Sequence, residues 1–440
     1  MRIARVGLAA VLIAACGSDD DGGAGGDGGG PRDDGGGSGD AGAPAFGCPA
    51  LPAPQGNVID VTPDQAGELP DIVRGAASGD TISLADGTYL LPATVYMPVA
   101  GVTLRSASND AAAVILDAGY TVAEAVHVMA PDVTIAHVTI TRAVDHPVHV
   151  VSHDGDPDVT GFVLYGARLI DGGEQFLKVN PDASRTSWVD DGRVECTLFR
   201  LTDDGRPMVE RDPGGCYTGG IDVHAGRGWV VRLNRFEDIY CAGDGLAEHA
   251  IHFWTGSRDT LVEDNVIVDC ARAIGFGLGE SGNGESRAYD DDPYPGAGFI
   301  GHYDGLIRNN AVWAATEWFD TGIGLEQARG ARVYHNSVVS ADSATGFFSS
   351  IDVRFGNSVA DVKNNLARRI TLREGGSGTI ESNAEMVDPA IFADAAGGDL
   401  HLGAGAAIAI DKGIAVEEAG RDLDGEPHTA GAPDLGADER

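Results

Sequence analysis

Along much of the chain, two apolar residues flank one non-apolar residue in segments too short for helices. Eight such triplets recur: Val126-His127-Val128, Val148-His149-Val150, Leu177-Lys178-Val179, Ile221-Asp222-Val223, Ile251-His252-Phe253, Ile274-Gly275-Phe276, Ile323-Gly324-Leu325 and Ile351-Asp352-Val353. Period-two alternation sends the flanking side chains to one face of a strand and the middle one to the other. A second frame is marked by Asn234, Asn265, Asn310, Asn336, Asn365 and Asn383, spaced by 31, 45, 26, 29 and 18 residues. Spacings in the high twenties suit three short strands and three turns per coil. No coil buries its own apolar face, so stacking must supply the core. This predicts an all-β chain folded as a right-handed parallel β-helix over residues 48–400. A doubly wound α/β fold needs helices between strands, which gaps rich in Gly and Asp do not provide, and a sandwich would not keep the constant frame. The 45-residue gap holds a loop, Gly279 to Phe299. A short amphipathic helix over residues 67–77 is expected to cover the first coil, whose open edge would otherwise template aggregation. The asparagines are expected at left-handed turns, stacked amide on amide.

The ends change the picture. Arg2 and Arg5 precede an apolar run too short to span a bilayer, and Leu12-Ile13-Ala14-Ala15-Cys16 follows. Residues 17–47 hold 14 Gly and seven Asp with Arg32 as the one cation, a composition that buries no apolar surface and repels itself. The expected organisation is a signal peptide over 1–15, a flexible tether over 16–47, the β-helix, and a closing segment over 401–440. Net charge is −37, of which −33 falls on residues 48–440. Nucleic acid is thereby excluded as a partner on electrostatic grounds, and a monomer is expected. Five cysteines besides Cys16 (Cys48, Cys196, Cys216, Cys241, Cys270) leave at least one unpaired. Cys196–Cys216 and Cys216–Cys241 are the pairings expected first.

Candidate chemistry sits in the middle positions of the triplets. In coil order they read His127, His149, Lys178, Asp222, His252, Gly275, Gly324 and Asp352. Two residues further along each strand come Asn180, His224, Trp254, Gly277, Glu326 and Arg354. With coils about 4.8 Å apart, His149, Lys178, Asp222 and His252 become vertical neighbours, flanked by Asn180, His224 and Trp254. A solvated strand face carries Thr, Ser and Asn instead. The glycines should leave a concave floor bounded by Glu326 and Arg354, with Trp254 as a stacking platform for a sugar. Arg258 follows the Trp254 strand and is placed to meet a carboxylated substrate. Asp145, Glu174, Glu248 and Asp320 precede the wall by four residues.

Leu12 to Cys16 resembles the bacterial lipobox, which implies lipidation of Cys16 and display on an outer membrane or cell surface. Asp86-Gly87-Thr88-Tyr89 and the coils after it resemble the pectin-lyase-like β-helix superfamily, most closely its chondroitinase B and alginate lyase relatives. The closing acids, Asp422-Leu423-Asp424-Gly425 and Pro433 to Glu439, resemble the terminal segment of exported bacterial β-helix proteins. The resemblance implies a polysaccharide partner and Ca²⁺ as cofactor. Hydrolysis needs two carboxylates about 5–9.5 Å apart, whereas Asp222 and Glu326 lie three coils, about 14 Å, apart. Elimination from a uronate fits better: Lys178 or His252 as base, His224 or His149 as acid, and Arg258 or Ca²⁺ against the carboxylate. A non-catalytic glycan-binding or structural β-helix is the alternative.

Overall fold

The computed structural model describes residues 48–49, 51–54, 56–209, 216–243, 245–279, 285–341 and 349–440. Cys16 and the stretches expected as signal peptide (1–15) and tether (16–47) lie outside the described residues. Among the described residues, the chain from Val58 onward winds into three long parallel sheets: sheet A with 14 strands, sheets B and C with ten each. One coil runs Val230–Arg232 in sheet A, Arg235–Glu237 in sheet B and His249–Trp254 in sheet C. The next runs Leu261–Glu263, Val266–Val268 and Arg272–Gly277. Each strand therefore pairs with its counterpart one coil away. This is the right-handed parallel β-helix the repeat predicts, with the hand that parallel crossovers take.

Core packing follows from the triplets. Ile221, Ile251, Ile274, Ile323 and Ile351 stack in register and are fully buried, as are Val223, Phe253, Phe276, Leu325 and Val353 one step along. Each such side chain contributes roughly 1.5–3 kcal/mol of burial. Helix α1 (Leu69–Arg74) covers the first coil by burying Leu69, Pro70 and Val73.

From Asn234 onward the asparagine column turns successive coils from sheet A to sheet B. Asn234, Asn265, Asn310, Asn336 and Asn365 each donate a side-chain N–H to the amide oxygen of the next, at 2.9–3.0 Å, ending on Asn383. The same oxygens accept the backbone N–H of the preceding asparagine. The ladder is as expected, but the left-handed position is not the asparagine. It is the residue before: Leu233, Asp264, Asn309, His335, Asn364 and Ser382, with φ between 53° and 58°. A left-handed residue swings the following side chain into the coil, where only an amide can satisfy the inward backbone groups of both neighbours.

Residues 401–440 lie along the flank of the solenoid. Leu402, Ala406, Ala409, Leu423 and Leu435 pack with Trp313 and Val339 on the outside of sheet B. Their carboxylates serve the backbone. Asp422 Oδ1 accepts from the N–H groups of Asp424 and Glu426, and Asp434 from those of Asp411 and Arg440. Disulfides join Cys216 to Cys241, stapling neighbouring coils, and Cys48 to Cys196. The expected Cys196–Cys216 pair is thus replaced, because the incoming segment at Cys48 reaches the turn at Cys196. Cys270 is buried and free.

Candidate functional site

Registration on sheet C is as the alternation requires. His127 pairs with His149, His149 with Lys178, Lys178 with Asp222, Asp222 with His252, and His252 with Gly275. His224 stands beside Trp254. These middle side chains point away from the core, yet Lys178, Asp222 and His252 are 8%, 3% and 1% exposed. The wall is a covered polar cluster whose outer surface is half-buried Asn180, Tyr217, His224 and Trp254.

Asp222 is the hub. Its Oδ2 takes the Lys178 ammonium and lies 3.3 Å from His224 Nε2, while its Oδ1 accepts from Trp254 Nε1 at 2.6 Å. Lys178 Nζ also lies 3.1 Å from His224 Nε2 and 5.8 Å from the Tyr217 ring centroid. Burial would raise the Asp222 carboxyl, but the charge of Lys178 holds it well below the usual range. Burial would likewise lower Lys178, and the charge of Asp222 raises it instead. Burial, helped by the Lys178 charge, lowers His224 to about 4, so its imidazole is neutral at pH 7. Burial pushes the Tyr217 hydroxyl up to about 12. The cluster thus offers a buried ammonium–carboxylate pair beneath a neutral imidazole, a protonated phenol and an indole face.

The roles expected for the histidines shift accordingly. His224, expected as an acid, is a neutral imidazole at pH 7 and so lacks the imidazolium proton an acid would give. His252, expected as a base, is sealed in: Nε2 donates to the Gly277 carbonyl at 2.9 Å, and Nδ1 lies 3.8 Å from both Asp222 and Glu248. The concave floor is filled as well. A Cβ on Gly275 would meet the His249 imidazole at 2.7 Å, so this glycine makes room for a ring of the protein's own. Gly277 (φ +75°) is required by backbone approach, since its Cβ would lie 1.9 Å from the Glu326 carbonyl oxygen.

Three expected members stand apart from the Lys178 group. Arg258 belongs to sheet A, where its guanidinium is held by Asp291 at 2.9 Å and lies 5.1 Å from the Tyr289 ring centroid, both residues of the 279–299 loop. It is neutralised there, because the strand after Trp254 has already turned the corner. Glu326 and Arg354 are neighbours further down sheet C. Glu326 accepts from the Gly279 N–H at 2.9 Å, and Arg354 donates to Glu374 at 2.8 Å. His149 contacts Asn180 at 3.0 Å and Glu124 at 2.6 Å. Of the acids preceding the wall, Glu248 faces His252 and Asp320 meets Arg272 at 3.4 Å. Tyr217 and His249 complete the site without a sequence signal of their own, and they join Glu248, one of the acids expected four residues before the wall. The nearest hint was their place just before an alternating triplet.

The described residues hold three groups able to converge on a cation: Glu124, His127 and His149; Glu248, His249 and His252; and His401, Asp424 and Asp438. Every one includes an imidazole. Ca²⁺ takes six to eight oxygens, and these donor sets do not fit it.

No family model matches the chain, and neither does any curated protein. Among solved structures, pectate lyase Pel9A is similar with a TM-score of 0.55 at 13% identity, over 88% of this chain and 96% of that one. An alginate lyase from Paenibacillus sp. str. FPU-7 gives a TM-score of 0.34 at 12% identity over 74% of this chain and 99% of its own. A PL6 alginate lyase complex with trisaccharide gives 0.34 at 12% over 76% and 86%. The first of these agrees with the chain in fold, a parallel β-helix.

Proposed function

We propose that the sheet C face engages a polysaccharide and that the group around Lys178 cleaves it by β-elimination. One observation carries the reading: a buried Lys178–Asp222 pair lies directly under half-buried His224, Trp254 and Tyr217. A fold shared with a pectate lyase is consistent with it. Trp254 would stack on one sugar ring. Neutral His224 would take the proton from the carbon bearing the carboxylate, and the Tyr217 hydroxyl would hand its proton to the departing glycosidic oxygen. Lys178, kept as an ammonium by Asp222, would face the developing negative charge. The electron pair of the broken C–H bond forms the new C=C bond as the C–O bond breaks, so atoms and charge balance without a co-reactant.

A second reading is favoured by the same pair. Lys178 and Asp222 satisfy each other, which suits a rigid, non-catalytic floor for a glycan-binding face. Incubation with alginate, chondroitin, pectin and heparin, following absorbance of the unsaturated product with and without chelator, separates the two. Product release that falls in His224→Ala supports elimination. Glycan binding without product, lost in Trp254→Ala, supports the binding module.

From the leader and Cys16 we also propose export and anchoring at an outer membrane or cell surface, with the chain acting as a monomer. Two disulfides suit an oxidising compartment. Labelled fatty acid should enter the wild-type chain and not Cys16→Ser, and equal labelling of both would refute the anchor.

A further inference from the structure

Upstream of the Lys178 group, the same face carries a second cluster that the elimination scheme leaves unused. Glu124 precedes the Val126–Val128 strand, and its carboxylate lies between two imidazoles. Oε2 faces His127 Nδ1, and Oε1 lies 2.6 Å from His149 Nδ1. The rings of His127 and His149 sit in adjacent coils at 5.2 Å between centroids. One donor atom from each of the three residues falls within 4.8 Å of the others.

His149 has an oxygen against both ring nitrogens, Glu124 at Nδ1 and the Asn180 amide oxygen 3.0 Å from Nε2. The two contacts together call for positive charge at Nδ1, which either a proton or a metal ion supplies. Nε2–H then donates to Asn180, the outer hydrogen bond that fixes the tautomer of a metal-bound histidine. Side chains of Glu124, His127 and His149 remain 23%, 12% and 16% exposed, which leaves an open face for a further ligand.

We infer that Glu124, His127 and His149 form a site for a divalent transition-metal ion of the Zn²⁺ type, with an open coordination position on the sheet C face. Two imidazoles and one carboxylate are the donor set of open zinc sites, with bonds of about 2.0–2.2 Å. They select against Ca²⁺ and Mg²⁺, which take oxygen. The inference is independent of lyase activity.

The test uses the purified chain, stripped with a chelator and titrated with Zn²⁺ and with Co²⁺. One equivalent of Zn²⁺ should stay bound through desalting, and Co²⁺ should give the visible absorption of an ion with nitrogen ligands. Excess Ca²⁺ should displace neither. Glu124→Gln and His149→Ala, checked for parental circular dichroism, should lose both signals. Asn180→Ala, which keeps all three ligands, should weaken Zn²⁺ by about tenfold to a hundredfold. Failure of the parent chain to retain Zn²⁺ overturns the site. So does retention unchanged in Glu124→Gln and His149→Ala, which would place the ion elsewhere, for example at His401, Asp424 and Asp438.

Discussion

Two polar columns run along this solenoid, the asparagines from Asn234 to Asn383 and the sheet C face from His127 to Asp352, and they are built on opposite principles. At the corner between sheets A and B the column repeats one residue. Every asparagine donates to the next and accepts from the last, leaving nothing for an outside partner. On sheet C the column is chemically mixed, ionised, and partly open at its outer surface. Uniform, self-saturating ladders hold coils in register. A mixed column costs desolvation and gains little stability over an apolar one, so its retention calls for another role. The comparison teaches that chemical heterogeneity, more than polarity, marks the functional face of a β-helix.

The largest expected effect breaks the sheet C column. Asp222→Leu strands the Lys178 ammonium and should cost about 3–5 kcal/mol in urea unfolding. Adding Lys178→Met to it should restore most of that loss, since the pair's attraction is offset by its desolvation. An equally unstable double variant would show the pair to be a net stabiliser, and the contrast between columns would fall.

Next comes the ladder. Asn310→Ala removes the acceptor of the Asn265 backbone N–H, one acceptor of the Asn265 side-chain amide and one of the two donors to the Asn336 amide oxygen, all of them buried. A loss of about 2–3 kcal/mol is expected, and no second substitution at a neighbouring rung should recover it. Recovery would mean that the ladder tolerates heterogeneity after all.

The smallest effect sharpens the comparison at one corner. Asp264 occupies the left-handed position that Asn309 and Asn364 fill elsewhere, and burial, with Glu263 nearby, raises its carboxyl to about 8. A raised acid keeps its proton in the folded state, so its contribution is lost as pH rises from its ordinary 3.8 through 8. The buried histidines have the opposite sign. His224, lowered to about 4, and His146, His302 and His335, each lowered to about 3, favour the unfolded chain as pH falls below 6.5. Stability should therefore rise from pH 4 to 6.5 and then sag towards pH 8, with Asp264 responsible for the sag. Asp264→Asn should gain about 1 kcal/mol at pH 8, flatten the profile above 6.5 and steepen the acid limb, because a group that opposes the histidines there is gone. An unchanged alkaline limb in thermal melts would refute the assignment.

The register of the sheet C column was legible because a strand's period of two is rigid: once Ile251 and Phe253 face inward, His252 must face out, whereas the asparagine column was legible from its recurrence at about one coil's length. Burial of the wall was not. It depends on Tyr217 and Glu248, which lie before their strands, and on His249 at the first position of His249–Trp254, ahead of the alternating triplet that the sequence shows. Arg258 was misplaced for the same reason, since the turn at Thr255 and Gly256 moves the chain to another sheet within four residues of Trp254. Gly275 read as open floor because a sequence shows a missing side chain and not the ring that fills its space. Glu124 went unnoticed three residues before His127, and its meaning comes only from the imidazole one coil away.

The most direct test of the account is product formation by the Lys178→Met, Asp222→Leu double variant on whichever uronate polysaccharide the parent cleaves. The account predicts a parent that releases unsaturated product and a double variant of near-parental stability that releases none. A double variant as active as its parent, or a parent inert towards every such polysaccharide and binding none, would contradict it.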